Sequence, residues 1–371
     1  MKLNIYLRVA VIGLIIFTTS CKKDKTTVFP DFKMNVENKE VVGELNKPVT
    51  FSVSITNGVV FSSEWKLDGV SVGTTTNYVF TAVKSGTYTL EYTSNFDGGQ
   101  YTYLYNLTIN APEVPVTEKS NPYVTQLFEF MPAPGQFINT SLANESTGKA
   151  ILGGQSNMIC LGAWGGYVVL GFDHTVINQP GKEDIMVYGN AFNNFAEPGV
   201  IWVMQDENGN GKPDDTWYEV AGSEFNKTGY KRAYSVTYTR PTPVTADVPW
   251  KDNLGNTGVV KTNVFHKQSY FPEWIKGNEY TLTGTLLPST NINESNPSYI
   301  TSSQFAWGYA DNTPGGDKID IANAVDSKGN KVVLKGIDFI KIQTGIQYNM
   351  GWLGEQSTEV TGVADLSLLK N

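Results

Sequence analysis

The strongest constraint on this chain is the rhythm of its apolar residues. Short runs rich in Val, Ile, Tyr, Phe and Thr recur along its length, each closed by Gly, Asn, Asp or Pro, and no amphipathic helix of any length stands out. Period-two runs bounded by turn residues are what half-buried strands require. With charged residues at only 17% and aromatics at 12%, the composition suits an extracellular all-β protein with many turns rather than a solvating or helical chain.

The runs divide the 371 residues into parts. Those at 49–55, 63–67, 78–80, 87–92 and 101–109 have the spacing of a small sandwich and predict an Ig-type domain over 32–110. Ala111-Pro112-Glu113-Val114-Pro115 predicts a semi-rigid linker over 111–120. Runs at 166–172, 185–188, 200–204, 234–238, 279–282 and 336–342 predict one larger β-domain over 121–371. Its long loops at 240–275 and 286–318 are where binding function usually sits on a rigid sandwich.

One loop carries the densest oxygen chemistry. After the apolar run at 200–204 comes Asp206, with Asn208, Asn210, Gly211, Lys212, Asp214 and Asp215 following. Side-chain oxygens at alternate positions, then a glycine at the sixth, are how a short loop wraps a hard cation. The spacing predicts calcium held by the side chains of Asp206, Asn208 and Asn210, the Lys212 carbonyl and Asp214. The twelfth position is Trp217 instead of a bidentate Glu, so Asp215 or Glu219 would have to close the shell. The same Asn-Gly-Asn-Gly sequence is also strong hairpin chemistry in its own right.

At the N-terminus, Lys2 and Arg8 precede a short apolar run at 9–17, and Thr18-Thr19-Ser20 precede Cys21. The run is too short to span a bilayer and has the organisation of a signal peptide over 1–20. A cysteine placed there resembles a bacterial lipobox. That implies lipidation of Cys21, a tether over 21–31 and stable anchoring through several acyl chains. With Cys21 so used, Cys160 has no partner for a disulfide and reads as a small buried hydrophobe. The formal charge is −8, and loss of residues 1–20 removes two positive charges to leave it near −10. Such an acidic chain repels phosphate backbones and argues against nucleic acid as a partner.

No G-x-S-x-G, H-E-x-x-H or P-loop signature is present, and the two histidines, His174 and His266, make a His-based metal site or triad hard to build. Carboxylates are plentiful, among them Glu197, Asp311, Asp317, Asp320, Asp326, Glu355 and Glu359. Glu197 suits a calcium ligand or a buried carboxylate orienting its turn, and 311–317 suits a second calcium loop or a self-satisfied turn. A hydrolase using two loop carboxylates is the alternative to a binding protein. Aromatics fall in Gly- and Pro-rich segments: Trp164, Trp250, Tyr270, Phe271, Trp274, Trp307, Tyr309 and Trp352. Such rings offer flat faces to a sugar or a corrin. Trp250, Trp274, Trp307 and Tyr309 are the ones predicted to bind ligand.

Two resemblances sharpen this reading. Pro48-Val49-Thr50-Phe51, Trp65 with Asp68-Gly69, and Ser85-Gly86-Thr87-Tyr88-Thr89-Leu90 resemble the PKD family of Ig-like modules, which implies a spacer with Trp65 in its core. The stretches GGYVVLGFDHTVIN, EDIMVYGNAF, EPGVIWVMQDENGNGKPDDTWYEVAGSE and WGYADNTPGGDKIDIANAVD resemble surface lipoproteins of gut Bacteroidetes whose C-terminal halves look like jelly-roll or discoidin-like sandwiches. Those proteins are often encoded beside TonB-dependent transporters, including vitamin B12 loci. The resemblance implies a lipid-anchored, surface-exposed outer-membrane protein. It would capture a soluble ligand, corrinoid or glycan, for a transporter without converting it, with adhesion as a further possibility.

Overall fold

The computed structural model describes residues 29–369. The signal segment 1–20, Cys21 and most of the tether lie outside the described residues. The chain is all-β, and it divides into two compact units. Of the described residues, one unit comprises those up to Ala82 together with Thr87–Thr108, the other Val83–Gly86 and those from Ile109 onward.

The smaller unit is a two-sheet sandwich. Phe32–Met34, Val49–Ile55 and Asn77–Phe80 form one sheet in that order. Glu40–Gly43, Gly99–Ile109, Gly86–Phe96, Phe61–Leu67 and Val70–Gly73 form the other. Alternation puts Phe51, Trp65, Leu90, Tyr92 and Tyr105 between them, all fully buried. The Trp65 indole meets a backbone acceptor, Thr75 O, at 2.9 Å, as a buried indole N–H requires. Asp68 and Gly69 both have positive φ and turn Phe61–Leu67 into Val70–Gly73, while Asp68 Oδ1 accepts Thr89 N at 2.8 Å.

The larger unit is built on a six-stranded antiparallel sheet. Its strand order is Ala324–Val325, Tyr218–Val220, Gly199–Met204, Gly336–Thr344, Tyr167–Ile177, Gln126–Met131. A three-stranded sheet of Asp317–Ile319, Ile185–Tyr188 and Gly362–Asp365 faces it, with the short pair Ile159–Cys160 and Glu359–Val360 alongside. Val168, Leu170, Ile201, Val203, Ile340 and Ile342 from the large sheet close on Ile185, Val187, Ile319 and Val363, so the core is a sandwich interior.

A four-stranded sheet of Thr257–Val260, Val248–Asp252, Lys231–Thr239 and Glu279–Leu286 carries its own core of Trp164, Tyr234, Tyr238, Tyr270 and Phe271. Two of its strands lie inside 240–275, which the sequence reading treats as loop. The hairpin closes through Asp252, whose Oδ1 accepts both Leu254 N and Asn256 N. Trp250 therefore stands on a strand, its indole against Gly258, where any Cβ would lie 2.4 Å from the ring.

Candidate functional site

Three carboxylates converge in the larger unit. Glu197 leads through Pro198 into Gly199–Met204. Gly199 exchanges two backbone hydrogen bonds of 2.9 Å with Ala310, which sets Asp311 beside Glu197. Glu359 begins the strand paired with Ile159–Cys160. One oxygen from each of Glu197, Asp311 and Glu359 lies within 4.8 Å of the others.

Asp311 is the best held. Its backbone is left-handed, with φ 51°. Its Oδ1 accepts Asn190 N at 2.8 Å and its Oδ2 accepts Glu359 N at 2.9 Å. The carboxylate reaches Asn190 because residue 189 is glycine: a Cβ there would sit 2.3 Å from Oδ1. Ser357 ties the other two together. Its N–H donates to Glu197 Oε1 at 3.0 Å, and its hydroxyl donates to Glu359 Oε1 at 3.0 Å. Cys160, buried and unpaired by any disulfide, lies with its Sγ 2.9 Å from the same hydroxyl.

Burial pushes all three carboxyls up, and their mutual repulsion pushes Glu197 and Asp311 well above the usual range. The charge on Glu359 adds to the burial of both Glu197 and Asp311 in favouring their protonated forms. Among the described residues no lysine, arginine or histidine ion-pairs with any of the three. Such a set either shares protons or holds a hard cation through oxygen.

Glu197 and Glu359 lie on the floor of a cleft of about 430 Å³. Its rim is aromatic. Phe192, Tyr299 and Trp352 are 66%, 51% and 51% exposed, and the Tyr299 ring stands edge-on to Phe195 at 5.7 Å. Trp352 is held by its indole N–H on Ser298 O at 3.1 Å. The polar groups between rim and floor include Gln136, Asn190, Ser302 and Gln356. The Gln356 Oε1 and Glu359 Oε2 atoms are buried without a partner.

The four aromatics singled out from sequence occupy different surroundings. Trp250 lines a separate cavity of about 280 Å³ with Trp164, Tyr238 and Glu355. Trp274 packs on a small core of Ile138, Ala143 and Cys160. Trp307 is half exposed. Tyr309 is a core residue and not a rim residue. It is 2% exposed, its hydroxyl accepts Glu224 N at 2.9 Å, and its ring fills the slot that Gly222 leaves open. Trp164, Tyr270 and Phe271 are fully buried. Trp352 alone of the wider set lines the cleft. Phe192 and Tyr299 were missed, although Phe192 sits beside the Asn193-Asn194 turn.

The 206–215 loop closes on itself. Asp206 accepts Gly209 N, Asn210 N and Gly211 N at 2.8–3.1 Å. Asp214 accepts the side-chain amides of Asn208 and Asn210, and Asp215 accepts Glu207 N and Asn208 N. Lys212 donates its N–H to Asn210 Oδ1 at 2.7 Å. Glu219 does not close this shell. It is buried in the sheet, where Tyr230 and Thr285 donate to it. In 311–317, Asp317 is turned to Asn312 N and Thr313 N, while Asp311 is turned to the carboxylate cluster.

No protein-family model matches the chain, and no curated protein does. Among solved structures it is similar to a quinonprotein alcohol dehydrogenase-like protein of Bacteroides thetaiotaomicron, at 12% identity and TM-score 0.22, covering 63% of this chain and 50% of that one. It is similar to the SGBP-B of a Bacteroides ovatus mixed-linkage glucan utilization locus, solved with a heptasaccharide, at 16% identity and TM-score 0.19, covering 63% and 44%. A SusE-like protein matches at 9% identity and TM-score 0.18, over 88% and 95%. The chain spans half or less of the first two. At these TM-scores the likenesses carry no argument about this chain's site. Among the described residues no helix is long and apolar enough to cross a membrane.

Proposed function

We propose that this chain is a cell-surface lipoprotein that captures a glycan in the Phe192–Tyr299–Trp352 cleft without converting it, in support of an outer-membrane transporter of the TonB-dependent kind. The observation that carries the reading is the cleft itself. Exposed aromatic faces stand over a floor of carboxyl, amide and hydroxyl groups, the pairing that stacks a sugar ring and satisfies its hydroxyls. A volume of about 430 Å³ lies low in the usual range for small-ligand sites, about 300–1,000 Å³. It suits one or two sugar rings better than a whole corrinoid.

The carboxylates argue for binding over hydrolysis. Paired glycosidase carboxyls stand roughly 5–10 Å apart across the scissile bond. Here an oxygen of Glu197 lies within 4.8 Å of one of Glu359, closer than that span, and the pair sits on the cleft floor instead of facing each other across it. In this reading Cys21 carries the lipid anchor, and the 206–215 loop holds a structural calcium through Asp206, Asn208, Asn210, Lys212, Asp214 and Asp215.

Electrophoresis of the protein lacking residues 1–21 through gels containing a panel of polysaccharides tests capture, and mass spectrometry of oligosaccharides incubated with it tests conversion. Retardation by a glycan whose oligosaccharides are returned intact is the expected outcome. Shortened products would overturn it.

A further inference from the structure

The face of the six-stranded sheet turned away from the core carries a second concentration of unmet polar groups. Strand register sets Glu219, Trp202 and Lys341 side by side in one row. Since directly paired residues share a face, all three project together. They border a cavity of about 290 Å³ that Trp217, Arg232 and Asp326 complete.

The donors of this cavity lack acceptors. The Lys341 ammonium lies 4.2 Å from the Tyr167 ring centroid and 5.9 Å from that of Trp202, with the Glu129 charge nearby, and makes no hydrogen bond or ion pair among the described residues. Arg232 uses Nε on the Tyr230 hydroxyl and Nη1 on Asp326 O, and its plane covers the Phe225 ring at 4.7 Å. Its Nη2 is buried without a partner, and so is Trp202 Nε1.

The acceptors of the cavity are already engaged. Glu219 takes the hydroxyls of Tyr230 and Thr285. Asp326 takes Lys328 N, Asn330 N and the Asn330 amide within its own turn. Buried donors left unmet are costly, and native structures keep few of them. Two in one cavity, Trp202 Nε1 and Arg232 Nη2, with the Lys341 ammonium at its border, call for an anionic acceptor from outside. A carboxylate meets a guanidinium edge in a planar, charge-assisted way, and the flanking indoles offer apolar faces for the body that carries it.

We propose that this cavity is a second ligand site, independent of the aromatic cleft, for a carboxylate-bearing sugar of the uronic acid type. The carboxylate lies between Lys341, Arg232 and the Trp202 N–H, and the sugar ring lies against Trp217. Burial holds the Lys341 amine down at about 8, so at pH 7 it still carries its charge, which an anion beside it would stabilise.

Ligand-observed NMR titration of the protein lacking residues 1–21 tests this, with glucuronic and galacturonic acids against glucose and galactose. The expected result is saturable uronate binding at pH 7 that the neutral sugars do not share. Lys341→Met and Trp217→Ala should each weaken it at least tenfold, with circular dichroism confirming that both variants fold. Trp352→Ala, in the cleft, should leave it unchanged. Absence of uronate binding, equal binding of the neutral sugars, or uronate binding that survives Lys341→Met and Trp217→Ala but falls with Trp352→Ala would overturn the assignment.

Discussion

Asp311 Oδ2 accepts the backbone N–H of Glu359 at 2.9 Å, joining the loop after Ala310 to the short strand at the bottom of the cleft. With Oδ1 on Asn190 N, this one side chain fixes three segments around the carboxylate cluster. Asp311→Ala leaves two buried N–H groups unmet, at about 1–3 kcal/mol each. A total loss of roughly 3–5 kcal/mol is expected in urea unfolding. Gly189→Ala should do comparable damage, because its Cβ would stand where Oδ1 now sits. Asp311→Asn, which keeps one acceptor, should cost less than either.

Stability should fall as pH rises from about 5 to 8. Burial first, then the nearby Glu359 charge, raises Glu355 to about 8. A carboxyl raised in the folded state binds its proton more tightly there than in the unfolded chain. The stability it contributes is present below the unfolded value near 4.5 and is lost as pH climbs through 8. His174 acts in the same direction, raised by its hydrogen bond to Asp365 and then by Asp173. Glu355→Gln should flatten the profile by an amount on the order of a few kcal/mol, read from unfolding midpoints at pH 5, 6.5 and 8.

Lys341 works in the opposite sense. Its amine is lowered to about 8 by burial, so between pH 8 and 10 the unfolded chain binds a proton that the folded chain does not. Its contribution to stability therefore rises across that window, by roughly 2 kcal/mol. Lys341→Met should be more stable than the parent at pH 7 and should lose the rise, as measured by chemical denaturation.

Calcium should raise the melting temperature, and Asp206→Ala should remove that response. Binding to the folded state alone at a hundredfold excess over Kd is worth about 2.7 kcal/mol. Asp206 also accepts three backbone N–H groups of its loop, so Asp206→Ala lowers stability even in chelator. The informative reading is the difference between melts with calcium and with chelator, which should vanish in the variant. A parent melt that ignores calcium would reduce the loop to a turn.

The fold was legible because it is written locally. Val49–Ile55 and Ile185–Tyr188 coincide with their period-two runs, and Gly336–Thr344 extends its run by two residues. The Val248–Asp252 and Thr257–Val260 hairpin was hidden because Pro249 and Asp252 break the apolar pattern. Glu197, Asp311 and Glu359 were each visible as carboxylates. Their meeting was not, since it depends on the Gly199–Ala310 bridge and on Ser357, which no local pattern announces. Aromatic residues misled for a related reason. Tyr309 and Phe192 look alike in a turn-rich sequence, and only packing shows that Gly222 admits the first into the core while the second stays in solvent.

Calorimetric titration of the protein lacking residues 1–21 tests glycan capture most directly, with the glycan that retards it in gels and with cyanocobalamin, repeated on Trp352→Ala. The account predicts that the glycan binds and cyanocobalamin does not, and that removing the Trp352 ring costs about 2 kcal/mol, some thirtyfold in affinity. Glycan affinity unchanged in Trp352→Ala, or binding of cyanocobalamin in place of the glycan, would contradict it.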